Sequence, residues 1–155
     1  MAARIGLISD THGLVRPEAR IALAGVDRIV HAGDICTPDV LDELRRIAPV
    51  LAVRGNNDQG AWAAALSDRE TVDIEGVRIH VVHDIAELDV DLRAEGIKVV
   101  VTGHSHRPLM KMASGVLFVN PGSAGPRRFT LPISLGFLEI EDGRTKARLQ
   151  TLEVD

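Results

Sequence analysis

The sequence predicts an α/β fold, a sandwich with mixed β-sheets, and three observations carry that prediction. Short apolar runs rich in Val and Ile recur along the chain and read as buried strands. Segments between the early runs have the spacing of helices. After His106 the pattern changes to short alternating strands and glycine-rich turns, which is how hairpins read.

The elements follow in order. Ile5 to Ser9 is the first strand, and Pro17 to Ala24 the first helix, with proline at a first-turn position where its missing N–H costs nothing. A strand at Arg28 to Val30 leads to a helix over Pro38 to Ala48, with Thr37 as N-cap and Pro38 at N1. Strands at Val50 to Val53 and Val77 to Val82 come next. A third helix is expected from Asp84, because Asp84 and Glu87 have capping-box spacing ahead of Leu88 and Leu92. Ile97 to Thr102 and Val116 to Val119 are further strands. Gly115, Gly122, Gly125, Pro126 and Gly143 punctuate the remainder, with alternating strands at Ile133 to Ile140 and Lys146 to Leu152. The sequence contains no internal repeat, low-complexity tract or linker.

At 155 residues the chain suits one compact domain. Its 45% hydrophobic and 26% charged content exclude disordered and fibrous classes. Eighteen basic against 22 acidic side chains give a formal charge of −4, the wrong sign for gripping a nucleic-acid backbone. With 3% aromatics and no tyrosine, a base-stacking platform is also excluded. The single cysteine, Cys36, forbids an internal disulfide or a cysteine-rich zinc site; it suits a reducing compartment and is expected as a small buried apolar residue. Asp10 interrupts the first apolar run too early for a signal peptide, and no other run approaches the ~20 residues that span a bilayer. The expectation is a soluble, cytoplasmic protein with no membrane contact.

Metal-ligand residue types follow the strands. Asp10 and His12 come after the first, Gly33-Asp34 after the second, and Gly55-Asn56-Asn57-Asp58 after the third. His83 ends Val77 to Val82, and Gly103-His104-Ser105-His106 follows Ile97 to Thr102. Carboxyl ends of strands in open α/β sheets gather along one edge, so these five clusters are expected to converge. Asp10/His12 and His104/His106 are two apart, so each pair can face one ion. Asp10, Asp34, four imidazoles and the Asn56 amide form a mixed N/O set that suits Mn²⁺, Fe or Zn²⁺. Seven candidates exceed one tetrahedral ion and match two ions sharing a carboxylate.

Each cluster taken singly has an ordinary reading. Asp10 to Gly13 reads equally as an Asx turn, Gly33-Asp34 as a helix cap, Asn56-Asn57-Asp58 as a turn, His104/His106 as a polar loop and His83 as a packed histidine. These readings must all hold at five successive strand ends to displace the metal site. His31 and His80 lie inside strand-like runs and read as satisfied histidines. Asn120-Pro121-Gly122-Ser123 and Arg127-Arg128 read as an exposed, turn-rich loop.

The ordered series Asp10-Thr11-His12, Gly33-Asp34, Gly55-Asn56-Asn57-Asp58, His83 and Gly103-His104-Ser105-His106, with the trailing Asn120-Pro121-Gly122-Ser123, resembles the calcineurin-like metallophosphoesterases, most closely their small YfcE-like phosphodiesterase branch. The resemblance runs from about residue 3 to 125. It implies a four-layer α/β/β/α sandwich, two mixed β-sheets flanked by helices, with residues 1–155 as one metallophosphoesterase domain. It implies two divalent ions, manganese first with iron, nickel or zinc as alternatives. Asp10, His12 and His106 would hold one ion, Asn56, His83 and His104 the other, and Asp34 would bridge them. A hydroxide bridging the ions would attack phosphorus in a small phosphodiester, with Asn56 and Asn57 on the substrate side. By analogy it also implies self-association into a homo-oligomer. The competing functions are a phosphomonoesterase or nucleotidase with the same site, and a non-catalytic scaffold resembling the retromer scaffold subunit that binds protein partners.

Two positions depart from the family pattern. Asp84 stands after His83 where small residues are usual. Asn57 stands where many relatives carry a general-acid histidine, and an amide cannot deliver a proton as imidazolium does. Esters with acidic leaving groups, such as aryl diesters, are therefore expected to be cleaved much faster than alkyl diesters; equal rates on the two would refute this.

Overall fold

The computed structural model describes residues 2–154. Among the described residues ten strands form two five-stranded sheets, both mixed, as the α/β sandwich expectation requires. The first sheet runs β10(Arg144–Thr151), β9(Ser134–Glu141), β1(Ala2–Ile8), β2(Arg28–His31), β3(Val50–Ala52). In it β1, β2 and β3 are parallel, and β9 is antiparallel to both β1 and β10. The second runs β4(Arg69–Ile74), β5(Val77–Val82), β6(Ile97–Val101), β8(Val116–Asn120), β7(Leu109–Ala113), with β5, β6 and β8 parallel and both edge strands antiparallel.

Side-chain alternation along the strands separates two apolar layers. Ile5 and Leu7 of β1 face inward with Val30, Leu138 and Ile140, and meet Ile79, Val81, Val99, Val101 and Val119 of the second sheet. Ile8, Ile29 and Phe137 face outward and are covered by Leu23 of α1(Pro17–Leu23) and Leu41 and Leu44 of α2(Pro38–Arg45). Both helices start at proline, and Thr37 is the N-cap of α2 by backbone conformation without a side-chain cap bond.

Several local expectations differ from what forms. The helix expected from Asp84 is a single 3-10 turn, Ile85–Glu87. Asp84 does cap it, accepting from the Ala86 N–H at 3.0 Å. Asp89-Val90-Asp91 are weak helix formers, so the chain runs on irregularly while Leu88, Val90 and Leu92 cover Ile97, Val100 and Val116 on the outer face of the second sheet. The strands β4 and β7 and the short α3(Ala61–Ala64) were not anticipated. Both strands are edge partners in hairpins whose turns, Glu75–Gly76 and Ser114–Gly115, have positive φ at both positions, as does Asp142–Gly143 between β9 and β10. No helix among the described residues is long and apolar enough to cross a membrane.

His31, at the end of β2, is wholly buried and satisfied. The Gly33 N–H donates to its Nδ1 at 3.0 Å, so its proton sits on Nε2 and is donated to Thr11 Oγ1 at 2.9 Å. His80 is buried too, with Nδ1 against Thr71 Oγ1 at 2.8 Å, but its buried Nε2 has no hydrogen-bond partner among the described residues, so it is satisfied at one nitrogen and not at both as expected. Burial, reinforced by the charge of His83, pushes the His31 pKa down from 6.5 to about 3. Below about pH 6.5 the unfolded chain therefore takes up a proton that the folded chain refuses until about pH 3. The His31 contribution to stability is complete above pH 6.5 and is lost as pH falls through that window. Urea midpoints measured between pH 7.5 and 4 are expected to decline less in His31→Asn than in the wild type; parallel declines would contradict the assignment.

Candidate metal centre

The parallel strands β1, β2, β3, β5 and β6 end at a common edge, and the loops leaving them bring the seven expected residues together. His83 Nε2 lies 3.4 Å from Asp34 Oδ2 and 3.9 Å from Asp10 Oδ1. His106 Nε2 is 3.5 Å from Asp10 Oδ1, and His12 Nε2 is 3.7 Å from Asp34 Oδ2. On the open side His104 Nδ1 is 3.2 Å from Asn56 Oδ1. The rings pair as well, with centroids of His12 and His106 5.4 Å apart and those of His83 and His104 5.2 Å apart. Two compact groups result, Asp10 with His12 and His106, and Asp10 with Asp34 and His83.

The donor atoms fit a cation. Among the described residues Asp10 Oδ1, His12 Nε2 and His83 Nε2 find no hydrogen-bond partner although they are buried, and such atoms in a protein interior are almost always satisfied. The 3.4–3.9 Å separations are too long for hydrogen bonds. They approach the separation of neighbouring ligands that each stand about 2.1 Å from a shared ion. The other ends of these groups are engaged. His83 Nδ1 donates to the Ala32 carbonyl at 2.7 Å, which leaves the Nε2 lone pair facing the carboxylates. Asp10 Oδ2 accepts from Ser9 Oγ at 2.8 Å and from the His104 N–H at 3.0 Å. Asp34 Oδ1 accepts from the Asn57 N–H and Oδ2 from its side-chain amide, both at 2.9 Å.

The electrostatics separate the two carboxyls. Burial raises the Asp10 pKa and outweighs the nearby His83. Burial also pushes Asp34 upward, but the neighbouring His83 and the hydrogen bonds from Asn57 prevail and hold it well below the usual carboxylate range. For His83 the downward push of burial is overcome by its contact with Asp34 and by the charge of Asp10, so its pKa is raised. Burial, joined by the exposed Arg128, lowers His106 to about 4.

Local backbone conformation aims these side chains. Asp10, His12, Asp34, His104 and His106 all have positive φ, between 46° and 71°. Asp and His tolerate this region better than most residues, yet it remains a strained choice that the surroundings must enforce. Backbone bonds from Asp10 N to Gly33 O, His12 N to Asp34 O and Gly103 N to His83 O stitch the loops together. Gly55 passes so close to Asp34 that a Cβ there would collide with the Asp34 amide and carboxylate.

Several residues around the site have roles that the sequence did not reveal. Buried Asp58 accepts three backbone N–H groups, from Asp34 at 3.0 Å, Gly55 at 2.8 Å and Cys36 at 2.7 Å. An acidic residue directly behind Asn56-Asn57 was the available signal, but its burial was not legible. The Asn120 to Ser123 segment is buried, not exposed as expected. Asn120 Nδ2 donates to the Gly103 carbonyl and Ser105 Oγ, and Ser123 Oγ donates to the Asp10 carbonyl at 3.0 Å. Arg127 and Arg128 beyond it are exposed. Cys36 is only half-buried, has positive φ, and holds its thiol 3.5 Å from His12 Nδ1. Burial and the carboxylate of Asp58 push that thiol up to about 11.

A doubly mixed sandwich with carboxylates, imidazoles and an amide at one edge defines a metallophosphoesterase architecture. The chain belongs to the calcineurin-like phosphoesterase superfamily, whose domain matches residues 3–143. A probable metallophosphoesterase of Methanothermobacter thermautotrophicus is 34% identical over 94% of this chain and 90% of its own length. A phosphodiesterase of Methanocaldococcus jannaschii is 26% identical over 89% of this chain and 93% of that protein. In fold, vacuolar protein sorting 29 of Cryptosporidium parvum superposes with a TM-score of 0.77 at 20% identity, covering 99% of each chain. The family is metal-dependent, and the chain holds candidate ligand groups for it.

Replacing Asp58 by Ala would strand three backbone donors at once and is expected to lower stability by about 3 kcal/mol. Urea unfolding measures this, and a loss below about 1 kcal/mol would show that those amides find other partners.

Proposed function

We propose that this protein is a dinuclear metal-dependent phosphodiesterase acting on small phosphodiesters, with the whole chain, residues 1–155, as one catalytic domain; positions 1 and 155 lie outside the described residues. The supporting observation is the set of buried, unpartnered donor atoms Asp10 Oδ1, His12 Nε2 and His83 Nε2 around one shared space. Asp10, His12 and His106 would hold one divalent ion, Asn56, His83 and His104 the other, with Asp34 between them. Manganese is the first choice, with iron, nickel or zinc as alternatives for the same N/O donors. When bound, such ions supply an activated water at neutral pH and neutralise charge on phosphoryl oxygens.

The chain's own residues do the rest. Asp34 stays ionised because Asn57 hydrogen-bonds both oxygens of its carboxylate and His83 stands beside it. His83 keeps its Nε2 lone pair inward through the Ala32 carbonyl. Asn56 and Asn57 are exposed at the open side, where a phosphoryl group would arrive. No imidazole replaces Asn57, so departure of the alcohol depends on its own acidity. The jannaschii phosphodiesterase supports diesters over monoesters. A homo-oligomer and a cytoplasmic setting complete the proposal, the latter fitting one free cysteine.

The likeness to vacuolar protein sorting 29 keeps one other reading in view, a scaffold that binds protein partners through the same fold. Seven intact donor residues favour catalysis. Hydrolysis of bis(p-nitrophenyl) phosphate with added Mn²⁺ is expected, falling at least about 100-fold with chelator or in Asp34→Asn. No turnover with Mn²⁺, Fe²⁺, Ni²⁺ or Zn²⁺ would overturn the diesterase and leave the scaffold, and turnover of p-nitrophenyl phosphate alone would make it a monoesterase.

A further inference from the structure

We propose that Asp84 is a positioning residue for His104: its carboxylate engages the Nε2 side of the ring and so presents Nδ1, beside the Asn56 amide oxygen, as the nitrogen that donates to a cation. This rests on the metal reading above and adds a residue outside the seven donors.

The geometry is a short relay. Asp84 Oδ1 is fixed by the Ala86 N–H at 3.0 Å. That leaves Oδ2 free, 3.6 Å from His104 Nε2 and just outside hydrogen-bond range. On the opposite side of the ring Nδ1 is within hydrogen-bond range of Asn56 Oδ1, at 3.2 Å, so in the metal-free chain that nitrogen can carry the ring proton, and a cation held by both atoms would send it to Nε2. Two would-be donor atoms therefore stand side by side, with a carboxylate behind one of them.

The chemistry of imidazole makes the arrangement directional. A neutral ring carries one proton, so a lone pair offered from Nδ1 requires the proton on Nε2. Asp84 Oδ2 is the acceptor placed there, and a carboxylate behind a ligating histidine fixes its tautomer and raises its basicity. His104 needs such a partner more than its neighbours do. Its side chain is 46% exposed, whereas that of His83 is buried and already tied to the Ala32 carbonyl. Asp84 is itself 27% exposed and held by the 3-10 turn that it caps, so it can restrain a ring the core does not. Capping alone uses one carboxylate oxygen and leaves the other unexplained.

The test is calorimetric titration of Mn²⁺ into metal-free wild type, Asp84→Asn, Asp84→Ala, His104→Ala and the double variant Asp84→Ala/His104→Ala. Asp84→Ala is expected to weaken one binding event by about 10–100-fold, with Asp84→Asn in between. In the His104→Ala background Asp84→Ala should add no further loss, since its effect runs through that ring. Thermal unfolding of the metal-free proteins reads the cap separately, and Asp84→Asn, which keeps a capping oxygen, should unfold with the wild type. Unchanged Mn²⁺ affinity in Asp84→Ala, or an equal loss with and without His104, would overturn the proposal. A wild type that takes up no Mn²⁺, Fe²⁺, Ni²⁺ or Zn²⁺ would overturn the metal reading beneath it as well, so the two failures are distinguishable.

Discussion

Two carboxylates in one buried space, Asp10 and Asp34, are the constraint around which this structure is organised. Like charges removed from water repel and are costly to desolvate. The fold answers by giving them different surroundings. Asp34 is the better stabilised anion because Asn57 donates to both of its oxygens and His83 stands beside it. Asp10 is fully buried, its Oδ2 bonded and its Oδ1 open toward the imidazoles of His83 and His106. Such a pair is stable as part of a cation site and uncomfortable without one, which is why the unpartnered atoms carry the functional reading.

Holding the pair requires the surrounding loops to adopt conformations they would not choose alone. Five of the candidate ligands have positive φ, at an expense on the order of 1 kcal/mol each. That strain is offset by hydrogen bonds contributed from elsewhere in the chain. Asp58 gathers the amides of Asp34, Gly55 and Cys36, joining the loops after β2 and β3. His31 joins the loops after β1 and β2 through Thr11 and Gly33. Asn120, the last residue of β8, and Ser123 beyond it reach the loops carrying His104 and Asp10. Each links ligand-bearing loops from separate strands, so the site is rigid because the loops hold one another. Replacing a linker therefore disturbs donors that it never touches.

Both sheets contribute, and their packing is what completes the site. Asp10, His12, Asp34 and Asn56 come from loops of the first sheet, His83, His104 and His106 from loops of the second. The inter-sheet core of Leu7, Val30, Val81, Val101 and Val119 sets the distance between them. Core packing tolerates little slack, so a site divided across two packed sheets inherits their precision. The same division leaves the His104–Asn56 side more open than the His83 side.

Much of this was legible in the sequence, because strand ends are marked by chemistry. Val- and Ile-rich runs placed β1, β2, β3, β5, β6 and β8, and polar clusters after five of them pointed to a shared edge. Glycines and prolines marked turns and helix starts, since backbone freedom is a local property. Edge strands β4 and β7 escaped because β4 has few apolar residues, β7 leaves its apolar residues largely exposed, and both depend on hairpin partners. The helix expected at Asp84 shrank to one turn because tertiary cover, provided by Leu88 and Leu92, needs no helix there. Burial of Asp58, Asn120 and Ser123 was beyond local reading, since polar residues in a turn look alike whether solvent or a neighbouring loop receives their hydrogen bonds. The sequence by itself determined the kinds of donor atoms and the strand ends that carry them. Tertiary structure alone decided which atoms face one another, which ring nitrogen is free and which carboxylate is anchored, because those depend on contacts between residues far apart in the chain.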